Sequence, residues 1–242
     1  MADRHNSQYF PYNTVSKRLK EGKKLQHGDA YNAFGIDVSD FQGYIHWDKV
    51  KGAQKSFAYI RASSGSKLQD LTFSFNWHEA RNAGLTIGAY HNAEPGGGPT
   101  ESGIVSDAQQ QAAVFLEVVD RSGGIQGYNL APVLALSTNN ALNPQQLLLW
   151  AEHWLADVDA AVRNPTQIAM LYSDPNFIAT ALDNTTALSQ RPLWIAYYNA
   201  RSAPPTVGGW NRWTAWQYGD QGHVDGISGL VDLDEWYTHV AR

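Results

Sequence analysis

The sequence predicts an α/β fold in which parallel strands alternate with helices. Short apolar segments of strand length recur along the chain, and segments with helical periodicity lie between most of them. Glycine and proline interrupt the pattern where loops are needed, as in the run EPGGGPTE at residues 94–101. Strands and helices in this order imply right-handed crossovers, and this many units in 242 residues suggests one domain, either a barrel or an open doubly wound sheet.

Each element follows from its local pattern. The strands are predicted at residues 34–38, 56–61, 85–91, 131–136, 167–172 and 193–198, with short extended pieces at 213–218 and 229–232. The helices are predicted at residues 47–53, 73–83, 107–119 and 144–162. The second helix stops before Gly84, because glycine commonly ends helices. The glycines at 96–98 lack the spacing of a phosphate-binding or dinucleotide-binding turn, so no cofactor is expected.

Residues 1–32 differ from the rest of the chain. They contain five Lys and Arg residues between positions 17 and 24 and no sustained apolar period. Two interpretations fit: a solvated tail, or a basic arm that docks the domain, residues 33–242, onto a larger protein assembly. The first residues also lack the basic and apolar regions of a secretory signal, so export would need another route.

The composition excludes several classes of protein. No apolar run approaches the roughly 20 residues of a membrane helix, so a membrane protein is not expected. A net charge of -5 argues against a general nucleic-acid binder. The absence of cysteine excludes disulfides and thiolate chemistry, and the histidines show no paired spacing with carboxylates that suggests a metal site.

Several short motifs follow one another along the chain in a fixed order. The first strand reads GIDVSDFQG at residues 35–43, followed by IHWDKV at 45–50. Further matching segments are FAYIRA at 57–62, AGLTIGAYH at 83–91, PVL at 132–134, LWIAY at 193–197, WQY at 216–218, GHVDGI at 222–227 and VDL at 231–233. In this order the motifs resemble those of family 25 glycoside hydrolases, which are lysozymes. The resemblance implies a flattened (β/α) barrel of the TIM type, whose site lies at the carboxyl ends of the strands.

The resemblance also implies an activity and shows where this chain departs from it. Members of the family cleave the β-1,4 bond between N-acetylmuramic acid and N-acetylglucosamine in peptidoglycan, which requires two carboxyl groups. In the family these come mainly from an Asp-x-Glu motif that ends the fourth strand, where this chain has Ala135 and Ser137. Neither residue can replace a tuned acid, and general acid catalysis is worth about 10² to 10⁴ in rate. The sequence therefore predicts a pseudoenzyme, a lysozyme fold without lysozyme activity.

A second departure indicates how the acids were lost. After the second strand the family often has Ala-Thr-Glu-Gly, and here Ser64 stands in place of the glutamate. Losses at two positions of one cleft favour natural degeneration over inactivation in the laboratory, although both explanations remain open.

Other residues of the cleft match family positions and are candidates for a retained site. Asp37 corresponds to the family's catalytic-site aspartate of the first strand, although a structural carboxylate at a strand end is the alternative. Aromatic rings stack on the apolar faces of sugars, and 12% of the residues are aromatic. The candidate glycan-binding residues are Tyr90, Tyr172, Trp194, Tyr197, Trp216, Tyr218 and Asp232.

Three functions are compatible with these observations. The first is a non-catalytic domain that binds peptidoglycan or a related surface glycan, in an extracellular or virion-associated setting such as a phage or cell-wall assembly. The second is an active or laboratory-inactivated N-acetylmuramidase, in which Asp37 would act with Asp232 or Glu94. The third is a structural component of a virion or tail, because a fold does not impose its ancestral function.

Overall fold

The computed structural model describes residues 31–162, 167–198 and 203–238, and most of the predicted basic arm at 1–32 lies outside this range. Eight strands close into a barrel, and the short β3 extends the sheet beside β2. The strands are β1 (Tyr31–Val38), β2 (Phe57–Ser64), β3 (Leu68–Gln69), β4 (Thr86–Asn92), β5 (Val133–Ala135), β6 (Met170–Ser173), β7 (Leu193–Ala196), β8 (Ala215–Gly222) and β9 (Val231–Thr238). The helices are α1 (Trp47–Gly52), α2 (Phe73–Asn82), α3 (Glu101–Arg121), α4 (Pro144–Val162) and α5 (Pro175–Thr180).

The predicted α/β barrel is confirmed, and each of the six predicted strands overlaps an observed one. Strand β1 begins at Tyr31, two residues before the domain boundary placed at 33, because residues 31 and 32 pair with the end of β9. The third helix begins at Glu101 instead of 107, after Thr100 caps it by accepting a hydrogen bond from the backbone N–H of Gly103 at 3.2 Å.

The expectation that all barrel strands are parallel is wrong for β9. From β1 through β8 the neighbouring barrel strands are parallel, but β9 runs antiparallel to both β8 and β1 and closes the barrel between them. The segment 223–230 that joins β8 to β9 is shorter than the dozen or more residues that a parallel crossover needs. The chain therefore turns back directly, and β9 extends well beyond the predicted 229–232.

The barrel interior is filled by aromatic side chains. Tyr59 stacks on Trp194 with ring centroids 4.8 Å apart, and it also stacks on Trp236 at 6.5 Å. Gly88 leaves room for Tyr59, because a Cβ atom at Gly88 would lie 2.2 Å from Cε1 of that ring. A second, larger core lies between the outer side of the barrel and the helices. The interior is thus packed below the mouth, which confines any binding to the carboxyl ends of the strands.

Helices α3 and α4 cover the outside of the barrel and pack on one another. Trp150 and Trp154 of α4 are fully buried, and Trp150 Nε1 donates to Asp107 Oδ2 of α3 at 2.7 Å. Among the helices of the described residues, none combines the length and apolar character needed to cross a membrane.

Candidate active site

Three aspartates meet on the inner face of the barrel, where β1, β8 and β9 lie side by side. Asp37, near the carboxyl end of β1, is paired in register with Asp232 of β9. Asp234 is two residues further along β9 and therefore faces the same side. Gln217 of β8 is paired with Asp234, and its Nε2 donates to Asp37 Oδ2 at 2.7 Å. The structure thus places Asp37 beside Asp232, and it adds Asp234 and Gln217, which the sequence reasoning did not single out.

The carboxyl groups of this aspartate cluster, Asp37, Asp232 and Asp234, lie in an environment that favours their protonated forms. Burial raises the pKa of Asp37 well above its usual range, and the charges of Asp234 and Asp232 raise it further. Burial likewise raises the pKa of Asp234, with a further contribution from Asp232. The pKa of Asp232 is raised to about 6, mainly by burial. The cluster therefore binds protons more tightly than separate, exposed aspartates would.

Asp234 shows where such a proton is held. Trp194 Nε1 donates to Asp234 Oδ1 at 3.0 Å. Among the described residues, no N–H or hydroxyl group donates to the buried Oδ2. The carboxyl of Asp37 is in hydrogen-bonding contact with Asp234. Two carboxyl groups can hydrogen-bond only when one of them carries a proton, so the contact between Asp37 and Asp234 raises the affinity of the pair for a proton.

Two tyrosines link this cluster to the mouth of the barrel. The hydroxyls of Tyr172 and Tyr198 both donate to Gln217 Oε1, at 2.7 and 2.6 Å. These two bonds fix the orientation of the Gln217 amide, so that its NH₂ group points to Asp37. Burial raises the pKa of Tyr172 well above its usual range and that of Tyr198 to about 12, so both hydroxyls are neutral donors at physiological pH. Tyr198 is exposed and was not among the predicted site residues, although it directly follows Tyr197.

Two of the predicted glycan-binding tyrosines lie at the inner face. Tyr90 of β4 and Tyr172 of β6 are half-buried and pack against the aromatic interior of the barrel. Burial raises the pKa of Tyr90 well above its usual range, with a further contribution from the charge of Asp37. Both side chains thus stand between the closed interior and the cleft.

Trp194 requires a correction. Only 1% of its surface is exposed, because its large ring fills the barrel interior between Tyr59 and Tyr172. It cannot present a ring face to a sugar. Its indole N–H instead holds Asp234, so its contribution to the site is indirect.

Trp216 and Tyr218 lie on a different side of the sheet, while Tyr197 follows β7 and is half-buried. Trp216 alternates with Gln217 along β8, and it packs against the core between barrel and helices. Its Nε1 donates to the backbone carbonyl of Tyr197 at 2.7 Å, and its ring meets Tyr218 edge-on at 6.2 Å. The prediction that Trp216 stacks on a glycan is therefore wrong, because alternation along the strand turns its ring away from Asp37.

Strand β5 presents no carboxylate at the positions where the resemblance places the Asp and Glu of the family motif. Ala135 ends the strand, is buried, and pairs in register with Asn92 of β4 and Tyr172 of β6. Ser137 is two residues further and exposed at the mouth. The strand continues normally around them, since the Leu136 N–H donates to the Tyr172 carbonyl at 2.9 Å.

A carboxylate from the neighbouring strand stands close by. Glu94 follows β4, and Ser64 Oγ, at the end of β2, donates to its Oε1 at 2.9 Å. Asn92 Nδ2 donates in turn to Ser64 Oγ at 2.9 Å. The backbone of Glu94 is fixed by Gln111 of α3, whose side chain accepts from its N–H at 3.2 Å and donates to its carbonyl at 2.7 Å. Ser64, at the position where the family often has a glutamate, thus binds Glu94, which follows the neighbouring strand β4.

The part of the chain that the structure describes contains no metal site. Across them, no group of three or more His, Asp or Glu side chains is arranged to hold a metal ion. His91 is fully buried between Ser63 Oγ at 2.9 Å and Gln111 Oε1 at 3.1 Å. Burial lowers the pKa of His91 to about 4, so it is neutral and structural at physiological pH.

Comparison with known proteins shows the family to which this barrel belongs. The family model of "Glycosyl hydrolases family 25" matches residues 36–227. The chain belongs to glycosyl hydrolase family 25. "Lysozyme M1" of Streptomyces globisporus is 32% identical over 247 residues, which cover 96% of this chain and 79% of that protein. "Uncharacterized protein YegX" of Escherichia coli K12 is 34% identical over 210 residues, or 85% of this chain and 70% of the relative.

Solved structures agree with the family assignment. The bacterial lysozyme of Streptomyces coelicolor superposes with a TM-score of 0.72 at 31% sequence identity, covering 88% of this chain and 93% of that one. The barrel of this family 25 protein is therefore the lysozyme barrel, and two of the three clustered aspartates, Asp232 and Asp234, lie on β9, the strand that closes it.

The geometry limits what this family 25 site can do chemically. The two carboxyl groups of a glycosidase flank the scissile bond, about 5 to 5.5 Å apart in retaining enzymes and about 6.5 to 9.5 Å apart in inverting ones. Asp37 is instead a direct neighbour of both Asp232, its partner in strand register, and Asp234. The cluster therefore lies on one side of the barrel, on β1 and β9.

Proposed function

We propose that this family 25 protein binds the glycan strand of peptidoglycan without hydrolysing it. The observation that carries the proposal is the inner end of β5, where Ala135 and Ser137 offer no acid opposite the aspartate cluster. The acids that remain on β1 and β9 share hydrogen bonds with one another. They can accept hydrogen bonds from a sugar, but they cannot protonate a leaving oxygen and stabilise the sugar cation from two sides.

The cleft still offers groups that suit a sugar. Tyr198 is exposed at its rim, and Tyr90 and Tyr172 are half-buried below it. Asp232 is half-buried and keeps part of its carboxyl accessible to water. Aromatic faces and a few polar groups are the usual lining of a carbohydrate site, and neither depends on the lost acids. Binding can therefore survive the loss of catalysis.

The proposal includes a setting. A domain that recognises peptidoglycan without cleaving it serves to attach something to a cell wall, which places it outside the cell or on a virion. In this proposal residues 1–32, with their five clustered cations, dock the barrel onto the larger phage or cell-wall assembly. Deleting residues 1–30 should then abolish incorporation into that assembly and leave wall binding unchanged.

The test combines binding and cleavage on the same substrate. The full chain is mixed with purified Gram-positive sacculi, and both co-sedimentation and the release of reducing ends are measured. We expect co-sedimentation without release, whereas Ala135→Asp combined with Ser137→Glu should restore measurable release. Adding Asp37→Asn to that double variant is the control, because it should remove the restored activity if the cleft performs it. Failure to bind sacculi would refute the proposal, as would release by the unmodified chain at the rate of the double variant.

A second candidate function is residual hydrolysis, favoured by the position of Glu94. Its carboxylate stands beside Ser64 at the mouth and could take the place of a missing acid. If sacculi release reducing ends with the unmodified chain, Glu94→Gln should abolish the release and leave co-sedimentation intact. Release that persists in Glu94→Gln would remove Glu94 from consideration.

A further inference from the structure

Three aromatic side chains are exposed beside the cleft, and the site described above does not use them. The exposed fractions are 84% for Phe41, 66% for Tyr44 and 43% for Phe75. Phe41 lies in the short 3₁₀ helix after β1, Tyr44 precedes α1, and Phe75 is in the first turn of α2. Exposed rings gathered in one region indicate a binding surface more often than rings scattered singly. We call these three residues the aromatic ridge.

The rings of the ridge are held in place by their surroundings. Tyr44 and Phe75 are in contact, with ring centroids 5.4 Å apart. The guanidinium of Arg61 lies 5.2 Å from the centroid of Phe41. Arg61 is itself fixed, because its Nε donates to the buried Asp70 at 3.0 Å and its Nη2 donates to Asp40. A surface fixed in advance loses little conformational entropy when a ligand binds.

The ridge is continuous with the cleft. Phe41 is four residues after Asp37 and lies just beyond the carboxyl end of β1. Gln42 Nε2 donates to the backbone carbonyl of Leu230 at 3.2 Å, and Leu230 directly precedes β9 with its Asp232. The loop that carries Phe41 is therefore attached to both strands that hold the aspartate cluster. A linear ligand that leaves the cleft on this side meets the ridge.

We propose that the aromatic ridge is a second contact for the same glycan strand, where the apolar faces of β-1,4-linked N-acetylhexosamines stack after the strand leaves the cleft. This inference rests on the proposed function and adds a subsite to it. The chemistry of the surface favours a sugar: the rings are uncharged, and the cation that lies against Phe41, Arg61, is neutralised by Asp40 and Asp70. An anionic polymer would find no free positive charge among these groups.

Oligosaccharides of different length distinguish binding at the ridge from binding in the cleft. The probes are the dimer and the hexamer of β-1,4-linked N-acetylglucosamine, with affinities measured by calorimetry on the full chain. The double variant Phe41→Ala/Tyr44→Ala should weaken hexamer binding by about tenfold or more, which corresponds to about 1.4 kcal/mol, because it removes two of the three rings on which the sugars stack. Dimer binding should stay unchanged. Phe34→Ala is the matched control, since Phe34 is 40% exposed but lies on the part of β1 that precedes Asp37.

Each outcome decides one point. If the double variant and the unmodified chain bind the hexamer with equal affinity, the proposed glycan contact at the ridge is overturned. Binding of the disaccharide and of sacculi would still support the proposed function. No binding of dimer, hexamer or sacculi by the unmodified chain overturns both. Sedimentation equilibrium tests whether two copies of the protein associate. If the unmodified protein forms a homodimer and Phe41→Ala/Tyr44→Ala dissociates it, the ridge binds a second copy of the chain, and the glycan contact is refuted. Hexamer binding that appears only after deletion of residues 1–30 would assign the ridge to that segment.

Discussion

Replacing Asp234 by asparagine should stabilise the protein at alkaline pH. Asp234 is buried beside two other carboxyl groups, and its Oδ2 accepts no N–H or hydroxyl donor among the described residues. Asparagine keeps the oxygen that accepts from Trp194 and offers an NH₂ group to Asp37, so the exchange removes a buried charge without changing the shape. Relieving a buried, unsatisfied acceptor is worth about 1 to 3 kcal/mol, which is the gain in unfolding free energy we expect at pH 8.

The sign of the pH dependence follows from the raised pKa values. Unfolded aspartate has a pKa of about 3.9, and the folded cluster binds its protons more tightly, so stability is greatest below about pH 4 and declines as the pH rises through the folded values. For Asp232, whose pKa is about 6 in the fold, the difference corresponds to about 3 kcal/mol, which screening by water reduces to about 1 to 2 kcal/mol. Protonated aspartate and asparagine are nearly equivalent, so the advantage of Asp234→Asn should vanish towards pH 4.

Urea denaturation followed by tryptophan fluorescence between pH 4 and 8 measures this difference. Asp225→Asn is the matched control, because it changes the net charge equally at an exposed loop position and should leave the unfolding free energy unchanged within about 0.5 kcal/mol. Titrating groups outside the aspartate cluster are common to variant and parent and cancel in the comparison. If the variant is no more stable than the parent at pH 8, or if its advantage persists at pH 4, repulsion among the carboxylates of the cluster does not destabilise the fold as described.

Three further predictions concern the scaffold. Gly88→Ala should lower the unfolding free energy by about 1 to 3 kcal/mol, because its Cβ would lie 2.2 Å from Tyr59, whereas Gly229→Ala meets no atom within 4 Å and should be neutral in the same denaturation assay. The imidazole of His91 should titrate at about pH 4 by NMR, and its contribution to stability should be complete above about pH 6.5 and decline as the pH falls towards 4; titration near 6.5 would contradict its burial. Gln217→Leu should lower the unfolding free energy by about 2 to 4 kcal/mol, since it leaves one buried carboxyl and two tyrosine hydroxyls without their partner; an unchanged melting curve would mean that water replaces the amide.

The order of strands was predictable because most of them are uninterrupted apolar segments. The sequence also predicted that Asp37 and Asp232 belong to one site, although only through resemblance to a family. It did not predict the length and direction of β9, because Asp232, Asp234 and Glu235 are residues that strands usually avoid. The acids that define the site are thus the reason that the strand carrying them was underestimated.

The direction of individual side chains was harder to predict than the elements. Trp194 and Trp216 both lie on strands and are equally aromatic, but one fills the barrel interior and the other packs under the helices. Only the strand register separates these possibilities. The bond between Ser64 and Glu94 joins residues from two strands, and no local pattern announces it.

Closure by an antiparallel β9 also determines the sequence of events during synthesis. Gln217 and Asp37, which share a hydrogen bond in the finished barrel, are 180 residues apart in the chain. Until β9 emerges from the ribosome, β1 has a partner on one side only and presents a free hydrogen-bonding edge on the other. Such an edge can pair with another nascent chain, and contacts of this sequence separation form slowly. Pairing of β9 with β1 covers this edge and ends the period in which misassembly is easiest. The same strand brings Asp232 and Asp234 to the site.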